Sequence, residues 1–156
     1  MMYSLENPYL QDIDTLARTL YGEARSGGYP EMLAVAHVVM NRVARGTWGT
    51  YIHDVCRAPW QFSCWPVKGH EPAPSSNDER NYQSMLNAGV DDEHFRTAVA
   101  LAWAASSELL PADPTSGACH YIAQGLADPA WLTRGLAAGG RLTLRTLYHR
   151  YYAAIP

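Results

Sequence analysis

The sequence has no excess of basic residues and no long apolar run. Its 12 Lys and Arg residues are outnumbered by 15 Asp and Glu residues, which gives a net charge of -3. Affinity for a phosphate backbone comes from clustered Lys and Arg, so we expect no nucleic-acid binding. Every apolar stretch is shorter than the roughly 20 residues of a membrane-spanning helix, so we expect no stable membrane insertion.

The N-terminal segment lacks the pattern of a secretion signal. A signal peptide combines a basic start with an apolar run, whereas the first 17 residues carry Glu6, Asp12 and Asp14. We therefore expect synthesis in the cytoplasm without a signal peptide.

Cysteine is scarce, and the three residues are Cys56, Cys64 and Cys119. Their odd number and the absence of a C-x-x-C spacing indicate neither a disulfide framework nor a zinc ribbon. We expect buried thiols. A bridge between Cys64 and Cys119 stays open if their segments meet.

Hydrophobic residues and flat aromatic rings are abundant. The 156 residues are 47% hydrophobic, enough for one core and too few for two, so residues 1–156 are predicted to form a single domain. Ten tyrosines and five tryptophans suit both a core and a site for polar, ring-shaped ligands such as sugars.

Apolar periodicity predicts a first helix near the N-terminus. Apolar residues recur every three to four positions from Leu10 to Leu20, and Gly27-Gly28 marks the end of the pattern. Asp12 or Asp14 is expected to stabilise the first turn, because acidic side chains favour the positive end of the helix dipole.

Two further helices are predicted. Residues 31–46 are apolar nearly all round, which is typical of a central helix, and Gly46 fits its C-terminal cap. Residues 93–110 repeat apolar positions at helical spacing, with Trp103 on the inner face.

The remaining segments predict loops and short strands. Residues 48–81 are rich in Pro, Gly, Ser and Asn, and their tail, residues 66–81, is predicted as loop. Residues 119–123 and 142–152 read as two strands, with a turn or short helix around Trp131 between them. The predicted fold class is α+β, dominated by helices, with a small β element.

Glu23 interrupts the apolar stripe of the first helix. It follows Leu20 by three residues and Leu16 by seven, which places it on that stripe in the last turn. Burial and the negative end of the helix dipole both disfavour a carboxylate, so we expect a raised pKa and a proton donor near neutral pH. The alternative is a side chain that turns to solvent or pairs with Arg25 or Arg42.

Six short motifs occur in a fixed order along the chain. They are YGEAR (21–25), AVAHVVMNRV (34–43), QFSCW (61–65), GACHY (117–121), PAW (129–131) and LYHRYY (147–152). Together they resemble the cell-wall hydrolase family of the spore cortex-lytic enzyme SleB. The resemblance implies a lysozyme-like fold, shared with muramidases and lytic transglycosylases, and cleavage of peptidoglycan between N-acetylmuramic acid and N-acetylglucosamine. Glu23 would then be the catalytic acid and base.

The motifs contain no second catalytic carboxylate. A two-carboxylate glycosidase needs a partner at a defined separation, and its candidates all lie outside the motifs: Glu71, Asp78, Glu79, Asp91, Asp92, Asp113 and Asp128. One carboxyl group suffices for a lytic transglycosylase, which closes a 1,6-anhydro product with the sugar's own hydroxyl. We favour that mechanism over hydrolysis by water.

The motifs also supply candidate substrate-binding residues, because sugars need polar groups for their hydroxyls and flat faces for their rings. These candidates are Tyr21, Asn41, Gln61, Phe62, Ser63, Trp65, His120, Tyr121, Trp131 and His149. Packing beneath the loop is the alternative for Phe62 and Trp65, a core position for His120, and a role in orienting the Glu23 segment for Asn41. Arg42 is interpreted as structural.

The histidines and cysteines give little indication of a metal site. His120, His149 and Cys119 lack a carboxylate at ligand spacing, which is thin support for zinc, so we expect neither a metal nor another cofactor.

Two departures from the family pattern bear on specificity and setting. Residues 26–32 are shorter and less acidic than usual, and residues 66–83 replace a short stretch, so the walls of the substrate cleft stay open. A catalytic unit without a signal or a binding repeat favours a phage endolysin or phage-derived lysin, monomeric and acting on the bacterial wall. The alternatives are an N-acetylmuramoyl-L-alanine amidase and a non-catalytic glycan-binding module.

Overall fold

Helices dominate the computed structural model, which describes residues 7–156. The predicted α+β class is confirmed: the described residues form six α-helices, one 3-10 turn and a three-stranded antiparallel sheet. Glu6, part of the argument against a signal peptide, lies outside the described residues. The helices are Pro8–Ala24 (α1), Gly28–Arg45 (α2), Ile52–Arg57 (α3), Asn77–Asn87 (α4), Glu93–Ser106 (α5) and Ala130–Ala137 (α6), and the strands are His120–Ala123 (β1), Arg141–Arg145 (β2) and His149–Ala153 (β3).

The start of α1 is set by a cap rather than by acidic residues. The Asn7 side chain accepts a hydrogen bond from the backbone N–H of Tyr9 at 3.0 Å, with Pro8 in the first turn. The expectation that Asp12 or Asp14 stabilises the first turn is wrong, because the helix begins earlier and both residues lie in its second turn. Asp12 instead accepts the backbone N–H of His53 at 2.8 Å and so ties α1 to α3.

Helix α1 ends at Ala24, three residues earlier than predicted. A 3-10 turn, Arg25–Gly27, follows it, and Gly28 then starts α2 with a φ of +64°, a conformation that favours glycine. The turn leaves Glu23 in the last turn of α1, as its position in the sequence predicted. Gly46, with a φ of +75°, caps α2 as expected.

The core is formed where α1, α2 and α5 pack together. Leu16, Leu20, Val35 and Val39 are fully buried there. Helix α5 ends at Ser106 instead of reaching residue 110.

One residue of the predicted inner face of α5, Trp103, lies outside it. The face presents Ala98, Leu101 and Ala105 to the core, whereas Trp103 is 55% exposed, so its predicted inward position is wrong.

The segment predicted as loop contains helical structure. Helix α3 buries Ile52, Val55 and Cys56, and α4 begins at Asn77, inside the predicted loop tail. Ser76 caps α4 by accepting the backbone N–H of Glu79 at 3.1 Å.

The small sheet has the strand order β1-β3-β2. The second predicted strand is a hairpin of two strands, β2 and β3, which turn at residues 146–148. Tyr121 on β1 pairs with Tyr151 on β3, and the fully buried Tyr151 side chain joins the helical core. Trp131 lies in α6, which matches the short-helix alternative.

The three cysteines are buried free thiols. Burial raises the pKa of Cys56 to about 12 and that of Cys64 well above its ordinary value. Because Cys64 and Cys119 are both free thiols, the alternative of a bridge between them is not realised. Within residues 7–156, no helix combines the length and the apolar composition that crossing a membrane requires.

Candidate active site

Three hydrogen-bond donors hold the Glu23 carboxylate at the end of α1. Its Oε1 accepts the backbone N–H of Cys64 at 3.0 Å and the hydroxyl of Ser63 at 3.3 Å. Its Oε2 accepts the hydroxyl of Tyr121 at 2.7 Å. The side chain is half-buried, and donors from one loop and one strand fix the orientation of both oxygens.

Neither arginine offered as a partner for Glu23 pairs with it. The Arg25 guanidinium donates to the backbone carbonyl of Tyr21 at 3.0 Å and to the side chain of Asn81 at 2.7 Å. Arg42 donates from Nε to the backbone carbonyl of Cys119 at 2.7 Å. The alternative of an ion pair with either residue is not realised.

Glu23 lines a groove of about 530 Å³, which we call the first groove. The loop of residues 60–67, helix α4 and strand β1 form its walls. The sequence-predicted residues that line it beside Glu23 are Gln61, Phe62, Ser63, Trp65, Tyr121 and His149.

The loop of residues 60–67 is anchored from below. The Trp65 indole N–H donates to the Thr19 hydroxyl at 2.8 Å, and Phe62 is 2% exposed and packs against Arg42. Phe62 therefore follows its packing alternative, although its edge still borders the groove. Buried anchors of this kind keep Ser63 and Cys64 in place to bind Glu23.

A second, fully buried carboxylate supports the site from behind. Glu31 is 3% exposed, and its Oε1 lies 2.5 Å from His149 Nδ1 and accepts the Tyr151 and Thr146 hydroxyls at 2.6 and 3.1 Å. Burial raises the pKa of Glu31, but these hydrogen bonds outweigh it and hold that pKa below its ordinary value. The His149 ring packs edge-on against Tyr121 at 4.8 Å, so this cluster contacts the residue that binds Glu23.

A second groove of about 660 Å³ adjoins the first. His120 and Trp131, both predicted from sequence, line it with their rings 5.3 Å apart. Burial, with the charges of Arg42 and Arg45, lowers the pKa of His120 to about 4, so its ring is neutral at pH 7. The two grooves share four lining residues: Arg42, Trp60, Gln61 and Tyr121.

A family model described as Cell Wall Hydrolase matches residues 26–143, which is most of the chain. The chain belongs to the cell wall hydrolase family. Membership implies an enzyme that cleaves peptidoglycan. The matched residues include the QFSCW and GACHY motifs, which contribute residues to the first groove, and begin just after the YGEAR motif that carries Glu23. No curated protein and no solved structure matches the chain.

Two predicted substrate-binding residues of this cell wall hydrolase line neither groove. Tyr21 is 8% exposed and donates its hydroxyl to Asp92 at 2.7 Å. Asn41 donates to Asp113 at 3.1 Å and to the carbonyl of Ala118 at 3.0 Å, so it fastens the loop before β1 and does not orient Glu23. Both residues connect elements of the fold.

Several groove residues of the hydrolase were missed by the sequence analysis. Trp60 is 70% exposed, has a φ of +66° and stands between the two grooves. A bulky residue with a positive φ is rare and is held there by its surroundings. The feature of the sequence that could have indicated Trp60 is its position directly before the QFSCW motif. Other missed residues in the first groove include His70 and Tyr82.

The titratable side chains of the hydrolase bear on two alternatives, a second catalytic carboxylate and a metal site. Of the seven candidate partner carboxylates, Asp78 lines the first groove with Glu23. Within residues 7–156, no three His, Cys, Asp or Glu side chains lie close enough together to share a metal ion.

Proposed function

We propose that this cell wall hydrolase cuts the glycan strand between N-acetylmuramic acid and N-acetylglucosamine, with Glu23 as the general acid and base. The observation that carries the proposal is the Glu23 carboxylate, fixed by Ser63, Cys64 and Tyr121 in an open groove. A positioned carboxyl group at the wall of a substrate groove is what glycosidic cleavage requires.

Each Glu23 oxygen has its own part in the proposed reaction. Oε1 already accepts two hydrogen bonds, so Oε2 carries the proton that passes to the glycosidic oxygen. Burial and the neighbouring Glu23 raise the pKa of Tyr121 well above its ordinary value, so this residue stays a hydroxyl that can donate to Oε2 or accept from it.

The product is proposed to be a 1,6-anhydro sugar. Glu23 protonates the oxygen between C1 of the muramoyl residue and the N-acetylglucosamine, and that C–O bond breaks, assisted by the muramoyl N-acetyl group. The muramoyl 6-hydroxyl then bonds to C1, and its proton returns to Glu23. The carboxyl group is thus regenerated without a second acid.

Hydrolysis by water, as in a muramidase, is the second candidate, and Asp78 is the observation that favours it. Asp78 lines the same groove and could hold a water molecule on the far side of the sugar. Mass spectrometry of digested peptidoglycan separates the two mechanisms, because transglycosylation gives anhydro-muropeptides and hydrolysis gives reducing ends. Free stem peptides as products would contradict both and indicate an amidase.

The catalytic assignment is tested by Glu23→Gln. We expect its rate of product formation to fall by about a hundredfold or more, as loss of a general acid does, with the thermal midpoint nearly unchanged. Glu93→Gln is the matched control, because Glu93 is exposed and lines neither groove. An unchanged rate in Glu23→Gln would contradict the assignment and favour a non-catalytic glycan-binding module.

A role as a phage endolysin or phage-derived lysin stays a prediction from the sequence. It is tested by adding the protein to outer-membrane-permeabilised cells and following turbidity. A lysin clears the suspension, and Glu23→Gln does not. An active enzyme that cuts isolated peptidoglycan but leaves cells intact would contradict this role.

A further inference from the structure

We propose that the second groove binds the stem peptide of peptidoglycan through the peptide's free carboxylates. The inference rests on the proposed function, because the stem peptide is attached to the muramoyl residue at the cut. The ligand class is an acidic peptide, in contrast to the neutral sugar rings of the first groove.

The charged side chains that line the second groove are cationic. Arg42 and Arg134 line it, and no Asp or Glu side chain does. The chain as a whole carries a net charge of -3, so this lining differs in sign from the average surface. A groove of one sign concentrates ligands of the opposite sign.

Arg42 contributes a buried positive charge that no ion pair within residues 7–156 neutralises. It is 4% exposed, lies between the rings of Trp48 and Phe62 at 4.9 Å from each, and forms no ion pair with the described residues. Its Nη1 has no hydrogen-bond partner in residues 7–156. Cation–π contacts offset part of the cost of burial, and a carboxylate arriving in the groove offsets more.

Arg134 provides the direct contact. It lies on α6, is exposed, and forms no ion pair within the described part of the chain. Its guanidinium fork matches the geometry of a carboxylate, which it binds through two parallel hydrogen bonds. Arg134 is therefore the residue through which a variant tests the proposal most directly.

The remaining lining suits a peptide backbone. Gln61 and the neutral imidazole of His120 offer donors and acceptors to amide groups. Trp60 and Trp131, 70% and 37% exposed, present flat faces to aliphatic side chains such as those of alanine.

The position of the groove fits the covalent structure of the substrate. It shares Arg42, Trp60, Gln61 and Tyr121 with the first groove, and Tyr121 binds Glu23 directly. A muramoyl residue placed for cleavage carries its peptide on the lactyl group, a few bonds from the cut. A peptide leaving the first groove past Trp60 enters the second.

The test compares two substrates and two arginine variants. Peptide-bearing peptidoglycan and glycan strands freed of peptide by an amidase are digested by wild type, Arg134→Gln and Arg141→Gln. Arg141 is an exposed arginine that lines neither groove, so its variant removes the same charge elsewhere.

We expect Arg134→Gln to lower the ratio of kcat/KM on peptide-bearing strands to kcat/KM on bare strands by about fivefold, the effect of one solvent-accessible ion pair. Arg141→Gln should keep the wild-type ratio. An unchanged ratio in Arg134→Gln, or an equal change in Arg141→Gln, overturns the proposal.

A direct titration separates failure of this proposal from failure of the proposed function. Tryptophan fluorescence is followed while the tetrapeptide L-Ala-γ-D-Glu-meso-diaminopimelate-D-Ala is added, and then its carboxamide form, in which every carboxylate is blocked. We expect the acid form to bind at least fivefold more tightly and Arg134→Gln to reduce that difference, since Arg42 is still present in the variant. If wild type cuts neither substrate but the titration succeeds, the glycan-cleaving function has failed and the peptide groove stands; equal binding of both peptides overturns the groove.

Discussion

At the scale of single residues, Gly22 determines how closely the loop of residues 60–67 approaches α1. A Cβ atom built on Gly22 would lie 2.7 Å from the Cβ of Cys64 and 3.1 Å from its Sγ. Cys64 is also the residue whose backbone N–H donates to Glu23. The glycine of YGEAR therefore lets the adjacent carboxylate reach its partner in the loop.

Gly22→Ala is predicted to destabilise the protein even though alanine is the better helix former. The helical preference alone would stabilise the fold by about 1 kcal/mol, but the contact with Cys64 forces the loop away at a cost of about 1–3 kcal/mol. We expect a lower free energy of unfolding. We also expect a lower kcat, because the Cys64 N–H moves away from Glu23. Denaturant titration and product formation measure the two; a stabilised, fully active variant would contradict the contact.

The sequence singles out Glu23 as a candidate site residue but gives no sign of the cluster around Glu31, for a physical reason. Glu23 stood out because its own helix placed a carboxylate on an apolar stripe, which is local information. Glu31 is bound by Thr146 and Tyr151, which lie 115 and 120 residues away along the chain. No local pattern reveals such partners.

At the scale of elements, periodicity predicted the long helices that bury several apolar side chains. It missed α3, which is only six residues long, and α4, which lacks an apolar stripe. α1, α2 and α5 were found because each buries several apolar side chains. α4 buries Met85 alone, so its sequence shows no apolar periodicity and was predicted as loop. Its signal was the cap S-x-x-E at Ser76 and Glu79. The β2–β3 hairpin was read as one strand because its turn contains no Gly, Asn or Pro.

Glu31 joins the first turn of α2 to the β2–β3 hairpin, and we predict that Glu31→Gln lowers the free energy of unfolding by about 3 kcal/mol at pH 7. This is the cost to the fold of removing the charge of a buried carboxylate that is bound by a histidine and two hydroxyls. Glu93→Gln, on an exposed site, should change it by less than about 0.5 kcal/mol.

The same variant has a pH signature. The pKa of Glu31 is lowered in the folded state, so its contribution is present above the ordinary carboxyl pKa and is lost as pH falls through the folded-state value. Wild type and Glu31→Gln should therefore converge in stability towards acid pH. A constant difference across pH 3–7 would contradict the role of the charge.

At the scale of the whole molecule, the two grooves depend on elements from every part of the chain. Glu23 and Arg42 come from the N-terminal helices, Trp60 and Gln61 from the central loop, and His120 from the sheet. Motif order predicted most of these residues but could not separate them into two grooves, because that division depends on how α6 and the sheet pack against the helices.

His120 makes the stability of the whole fold depend on pH between about 4 and 6.5. Its folded-state pKa of about 4 lies below the ordinary histidine value, because the ring is partly buried beside Arg42 and Arg45. The unfolded chain therefore binds a proton on His120 that the folded protein does not. Its stabilising contribution is complete above pH 6.5 and declines as pH falls towards 4.

His120→Gln is predicted to flatten this part of the stability profile, since glutamine stays neutral throughout. The free energy of unfolding, measured by denaturant titration at half-unit steps from pH 4 to 7, should fall less steeply in the variant than in wild type. His94→Gln serves as the control. His94 is exposed at the start of α5, so this variant removes a histidine whose ring is not buried. A His120→Gln profile parallel to that of wild type would show that the neutral ring of His120 is not held by burial beside the two arginines.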